Sequence, residues 1–214
     1  EAGRGANVSS QTFSLGAAIA RHDVEGVLDG EGAEATMNGL YLVDGRQLAD
    51  FHLRVDHAKP HTTSHELFKG VLNGRGRGVF NGRIFVHPQA QKTDAKQTSR
   101  NLLLSGEALV NANPQLEIFA DDVKCTHGST VGQLDEQAIF YLRSRGIGLE
   151  AARSLIAANK QKPAVAECRT LKPIDEAKAE VCHAEAQLLW KRAVMPMYGL
   201  ASVRARRTFF GKYM

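Results

Sequence analysis

The stretch "MNGLYLVDGRQLADFHLRVDHAKPHTTSHELFKGVLNGRGRGVFNGRIFVH", Met37 to His87, decides the fold class. Apolar or alternating runs of four to eight residues, rich in aromatic and β-branched side chains, are separated by Gly, Asn and Asp. That is a strand pattern bounded by turn formers. No apolar period of 3.6 lies between the runs, so alternating strand–helix units are excluded. Working outward, "VEGVLDG" precedes the stretch, and "RNLLLS" and "QLEIFADDV" follow it in the same style. Residues 8–125 therefore read as all-β.

The architecture within that class is less determined. Three Asn-Gly pairs, Asn38-Gly39, Asn73-Gly74 and Asn81-Gly82, argue for two-residue hairpins, because both turn positions tolerate positive φ. The same dipeptide also suits the tight corners of a β-helix. Segments such as "LYLV" and "IFV" are apolar on consecutive positions, as in strands packed on both faces or in a tightly curved coil. No fixed repeat length settles the choice. Pattern alone slightly favours a sandwich or barrel over a solenoid.

At Asp135 the texture changes. "DEQAIFYLRSRG" offers Asp135 as N-cap, Arg143 and Arg145 in the last turn and Gly146 as the stop. Ile139, Leu142 and Phe140 form its apolar face, and "LEAARSLIAAN" predicts a second helix directly after it. Beyond a linker with two prolines, "IDEAKAEVCHAEAQLLWKRAVM" predicts a third, and "RARRTFFGKYM" ends basic and aromatic. The expected division is a β core over 1–133, helices over 134–159 and a basic, helical tail over 160–214.

Charge follows that division. Residues 160–214 hold 11 of the 27 Lys+Arg and 5 of the 23 Asp+Glu, leaving 16 basic and 18 acidic side chains for residues 1–159. The basic character belongs to the tail, and the main body has no nucleic-acid-binding charge. No run of about 18 apolar residues exists. The start lacks both Met and an apolar signal core, so it reads as an internal start rather than a targeting peptide. Three scattered cysteines, Cys125, Cys168 and Cys182, fit a reducing compartment such as the cytoplasm.

Few residues promise chemistry. No Walker sequence, nucleophile elbow, catalytic triad or CxxC pair appears. "GRGRG", Gly74 to Gly78, reads as a turn-rich corner. His57, His61 and His65 would share one face of a helix, but Pro60 and the Thr-Thr-Ser run oppose helix, so local hydrogen bonding is expected rather than a metal site. In "DDVKCTHGSTVGQLD", Asp121 to Asp135, Cys125 and His127 are two positions apart. On a strand they share a face, about 7 Å from each other. Two such ligands cannot complete a four-coordinate shell, and a buried thiol beside a hydrogen-bonded histidine is the ordinary explanation of a lone C-x-H.

The long segments from Thr36 to His87, "AQKTDAKQTSRNLLLS" and "PQLEIFADDVKCTHGSTVGQLDEQAIFYLRSRGI" closely resemble the SufB/SufD family of iron–sulfur cluster assembly scaffolds, on its SufD side. The likeness runs from about Val8 to Ala158. It implies a right-handed parallel β-helix, entered part-way, followed by a C-terminal helical subdomain, against the slight preference for a sandwich. It also implies a non-catalytic scaffold that pairs with SufB and docks the ATPase SufC. Cys125 and His127 match the family's Cys-x-His motif, implying participation in a transient cluster shared with SufB, with His127 the stronger candidate. The helices from Asp135 to Ala158 match those facing SufC, which points to Phe140, Tyr141, Arg143 and Arg145 as partner-binding residues. A homodimer in place of the SufB pair stays open. From about Asn159 the resemblance ends. The alternative reading is a β-helix binding module whose basic tail engages RNA or an acidic partner.

Overall fold

The computed structural model describes residues 1–157; the tail over 160–214, with the third helix expected there, lies outside the described residues. Two compact units succeed each other along the chain, Glu1–Gln133 and a second beginning at Leu134. The first consists of nine strands: β1 (Asn7–Leu15), β2 (Ile19–Leu28), β3 (Glu34–Val43), β4 (Leu48–His57), β5 (Thr63–Leu72), β6 (Arg77–Val86), β7 (Asp94–Leu103), β8 (Leu109–Ile118) and β9 (Lys124–Gln133). They form two sheets, ordered β1-β3-β5-β7-β9 and β2-β4-β6-β8. Every pairing is parallel.

Neighbours within each sheet alternate in sequence, so the chain lays one strand in one sheet, turns a corner and lays the next in the other. Four such turns and a last strand make a parallel β-helix. Hairpins would have produced antiparallel neighbours. The sandwich favoured by pattern alone is therefore wrong, and the β-helix implied by the family resemblance is correct.

The absence of a fixed repeat now has a cause. Asn7 stands beside Glu34, Glu34 beside Thr63, Thr63 beside Asp94 and Asp94 beside Lys124, spacings of 27, 29, 31 and 30 residues. Strands from β2 onward keep a length of ten residues, so the drift is confined to the corners. The strands are longer than the expected four to eight residues, and two of the three Asn-Gly pairs are not turns. Asn38-Gly39 lies inside β3 and Asn81-Gly82 inside β6. Only Asn73-Gly74 is a corner, with Gly74 at φ +60°. It stacks on the preceding corner: Asn73 Nδ2 donates to Asp44 Oδ1 at 3.0 Å and the Arg75 amide to the Gly45 carbonyl at 2.7 Å. Of "GRGRG", Gly74 to Gly76 lie in this corner as expected, and Arg77 and Gly78 open β6.

The mid-strand glycines make room inside the coil. A Cβ on Gly39 would come within 2.3 Å of the Phe68 ring, one on Gly70 within 2.4 Å of the Tyr41 ring, and one on Gly82 within 2.5 Å of the Gln97 amide. Around them the buried rings of Phe51, Phe68 and Phe80 form a chain of contacts, with centroids 5.5 and 4.9 Å apart. Such ring pairs add to the area they bury. The histidine cluster does what strand-and-turn residues do: His57 is buried at the end of β4, His61 sits in a corner at φ 58°, and His65 faces outward from β5.

The second unit opens with α1 (Glu136–Ser144). Asp135 caps it by accepting from the Gln137 and Ala138 amides at 3.0 and 3.1 Å. At the other end the Gly146 amide donates to Arg143 and the Ile147 amide to Leu142, a Schellman closure that uses Gly146 at φ +81°. Ile139 is buried as expected, but Phe140 is exposed and does not belong to the apolar face. Residues 149–157 are helical.

Gly39→Ala is expected to lower stability by about 1–3 kcal/mol, because the added methyl must displace the Phe68 ring from a closed interior. Chemical denaturation would register this as a lower midpoint with unchanged β circular dichroism. A midpoint equal to wild type would show that the ring is not packed against Gly39.

Candidate functional site

Cys125 and His127 lie on β9, and register fixes which way they face. Cys125 pairs with Ala95 and His127 with Gln97. In-register parallel partners share a sheet face, and both Ala95 and Gln97 are buried in the lumen. Cys125 and His127 are therefore lumen-side positions. Cys125 is half-buried against the cluster of Ile84, Val86, Ala90, Ala95 and Ala120. Burial pushes its thiol pKa up; the nearby Asp94 charge adds to this, and a hydrogen bond with the Ala95 backbone opposes it. His127 is exposed.

The exposure has a topological origin. Among the described residues no strand pairs with the outer edge of β9, so this rung has a floor, β7, and no roof. The two lumen-side side chains stand on the last rung of the coil among the described residues. They are not a metal site by themselves: among the described residues no group of three or more His, Cys, Asp or Glu could hold an ion. Chemically the pair offers at most two of the four donors that a tetrahedral metal needs.

Beneath His127 runs a polar column that the sequence reading missed. Met37, Glu66, Gln97 and His127 are successive partners across β3, β5, β7 and β9. Glu66 and Gln97 are only 2% and 1% exposed, and Gln97 Nε2 donates to Glu66 Oε2 at 2.5 Å. Burial raises the Glu66 pKa to about 7, against the lowering effect of its hydrogen bonds with Gln97 and Ser64. The column continues sideways. His57, whose pKa burial lowers to about 4, contacts Thr62 Oγ1 through Nδ1 at 2.8 Å and Ser64 Oγ through Nε2 at 3.0 Å. The available signal was parity: in "TSHELFKGVL", Ser64 and Glu66 fall on the same face as Phe68.

The expected partner-binding residues lie on or just after α1. Phe140 and Tyr141 are 73% and 55% exposed, and Arg143 and Arg145 are exposed beside them. The Arg145 guanidinium sits over the Tyr141 ring, 4.9 Å from its centroid.

Residues 1–159 match the family described as "SUF system FeS cluster assembly, SufBD core domain". The chain is 43% identical over 151 residues to the iron–sulfur cluster assembly protein SufD of Escherichia coli, covering 71% of this chain and 36% of that one. It is 38% identical over 143 residues to an iron–sulfur cluster assembly SufBD family protein of Synechocystis, covering 67% and 32%. To SufD of Bacillus subtilis it is 34% identical over 140 residues, covering 65% and 32%. The chain thus spans about a third of the length of these relatives.

The buried acid and the buried imidazole predict opposed pH dependences. With the folded pKa of Glu66 raised from 4.5 to about 7, its contribution is full below pH 4.5 and is lost as pH rises through 7. With the folded pKa of His57 lowered from 6.5 to about 4, its contribution is full above pH 6.5 and is lost as pH falls toward 4. Between those limits the two slopes offset each other. Glu66→Gln is expected to stabilise by about 1–3 kcal/mol at pH 8 and by little at pH 4.5. It should also uncover the rise of stability with pH that His57 generates. Denaturation midpoints across pH 4–8 check this, and a parallel displacement at every pH would show that Glu66 titrates normally.

Proposed function

The chain belongs to the SufBD family of iron–sulfur cluster assembly proteins, and we propose that it is a non-catalytic scaffold subunit of that system, pairing with SufB and docking the ATPase SufC. The observation that supports this reading is the last rung: a thiol and an imidazole on the lumen side of β9, beside a strand edge that no other strand pairs with among the described residues. A second β-helix meeting this end supplies the missing ligands and covers the edge in one step, as strand addition does elsewhere. The nascent cluster is the cargo of that interface. His127 is the primary ligand from this side and Cys125 the secondary one. Burial holds the Cys125 thiol toward its protonated form, while an exposed imidazole can bind and release iron without surrendering a thiolate.

Docking of SufC is assigned to α1. Phe140 and Tyr141 present adjoining exposed aromatic surface, and Arg143 and Arg145 flank it with positive charge. A cytoplasmic location belongs to the same proposal; among the described residues no helix is long and apolar enough to cross a membrane.

Two experiments test the two interfaces separately. After co-expression with SufB and SufC, anaerobic iron–sulfide reconstitution of the purified complex should yield several-fold less cluster chromophore with His127→Ala, and a smaller loss with Cys125→Ala. Equal yields for His127→Ala and wild type would remove the imidazole from cluster building. In the same expression, the double variant Phe140→Ala, Tyr141→Ala should lose SufC from the purified complex while retaining SufB. Undiminished SufC would move its docking surface elsewhere.

A further inference from the structure

The lumen column gives the last rung a support that the family assignment does not contain. Gln97 is almost fully buried, yet its Oε1 has no hydrogen-bond partner. An unpaired buried amide carbonyl is unfavourable, so its persistence calls for an explanation. Three neighbours limit what the amide can do. From the rung below, Glu66 Oε2 accepts from Nε2 at 2.5 Å, and at pH 8, above the Glu66 pKa of about 7, the carboxylate can only accept, which fixes the amide's orientation. From the opposite sheet Gly82 lies so close that a Cβ there would reach 2.5 Å from the amide carbon, nitrogen and oxygen alike. On the rung above, the residue in register on the same face is His127. Nε2 and Oε1 diverge from the amide carbon, so a carbonyl turned from Glu66 is directed along the column, and His127 occupies the next step of it.

We propose that Gln97, oriented by Glu66 and confined by Gly82, is a positioning residue that accepts a hydrogen bond from the lumen-side N–H of His127 and so selects its tautomer. Rotation of the exposed imidazole brings its N–H over the waiting carbonyl. The outer ring nitrogen is then unprotonated, its lone pair directed out of the open end of the coil. A neutral imidazole bonds iron only through an unprotonated nitrogen, and ligating histidines are held in this way by an acceptor on the other nitrogen. The inference deepens the proposed role of His127 and rests on it, but the tautomer can be read without any cluster or partner.

The test is nitrogen NMR of the full chain with 15N-labelled histidine at pH 8, where long-range couplings report which ring nitrogen carries the proton. His127 is assigned by the resonance missing from His127→Ala. In wild type one tautomer should dominate. In Gln97→Met, which keeps the length and loses the acceptor, the tautomer ratio should move roughly fivefold toward that of free histidine, about what one ordinary hydrogen bond contributes. Gly82→Ala, which keeps the acceptor but displaces the amide, should move it the same way. A wild-type ratio already equal to that of free histidine overturns the inference, whether or not either variant folds. So does an unchanged ratio in a folded Gln97→Met. Reconstitution with SufB and SufC then separates the two readings. A shifted tautomer in Gln97→Met with undiminished cluster yield in His127→Ala retains the positioning and refutes the role of His127. Loss of cluster in His127→Ala with an unshifted tautomer in Gln97→Met does the reverse.

Discussion

Everything in the first unit depends on in-register parallel stacking. Each strand has the same residues of the next rung directly beside it, so an inward side chain must fit its own rung, the rungs on either side and the facing sheet. Volume is exchanged among those places. Where Phe68 projects inward, its partner one rung earlier is Gly39; where Tyr41 projects, its partner one rung later is Gly70; where Gln97 projects, the facing strand offers Gly82. A large residue is possible at one step because a hydrogen atom stands at another. This coupling, more than the propensity of any single strand, specifies the coil.

The same stacking explains why the lumen is not uniformly apolar. A column of like positions has no solvent outlet, so a polar residue admitted at one rung needs a partner at the next. Glu66 finds Gln97, His57 finds Thr62 and Ser64, and Thr62 lies 3.2 Å from Thr93 on the following turn. Each of these groups carries a desolvation cost, seen in the raised pKa of Glu66 and the lowered pKa of His57. Ser64, Glu66 and Gln97 lie on β5 and β7, with Thr62 and Thr93 in the corners before them and His57 at the end of β4, whereas the middle of β4 and β6 contributes Phe51, Leu53, Phe80 and Ile84. The interior is therefore divided lengthwise into an apolar wall and a wall of mixed polarity that ends at the open rung.

Much of this was legible in the sequence, and what was not has identifiable causes. Strand content, the cap at Asp135 and the stop at Gly146 follow from local rules, because the interactions they describe are local. Architecture did not follow. Asn38-Gly39 and Asn81-Gly82 have the composition of turns, and only a side chain from another rung, 29 residues along at Phe68 or across the lumen at Gln97, explains a glycine there. The repeat escaped notice because corner lengths let the rung spacing vary from 27 to 31 residues along one sheet. The solenoid entered through family resemblance, not through periodicity. For the site, the alternation of β9 put Cys125 and His127 on one face, but which face was lumen could be decided only from the burial of Ala95 and Gln97 beside them.

A coil of this kind can present ligands at its end in a way few folds can. Its last rung inherits the register of every rung beneath it, so the direction of a terminal side chain is set by a column rather than by a loop. It also lacks the neighbour that would bury that side chain. Order from below and access from above are usually in conflict, since exposed residues are the mobile ones. At β9 they coincide: the ladder hydrogen bonds to β7 constrain the backbone, His127 is exposed, and among the described residues no strand pairs with the other edge. Such an end is chemically incomplete, with two donors where a tetrahedral metal needs four. If the proposed scaffold role holds, an incomplete shell on a rigid mount would suit assembly rather than storage: a cluster built there would be held only while a second surface is present, and would be free to leave when that surface withdraws.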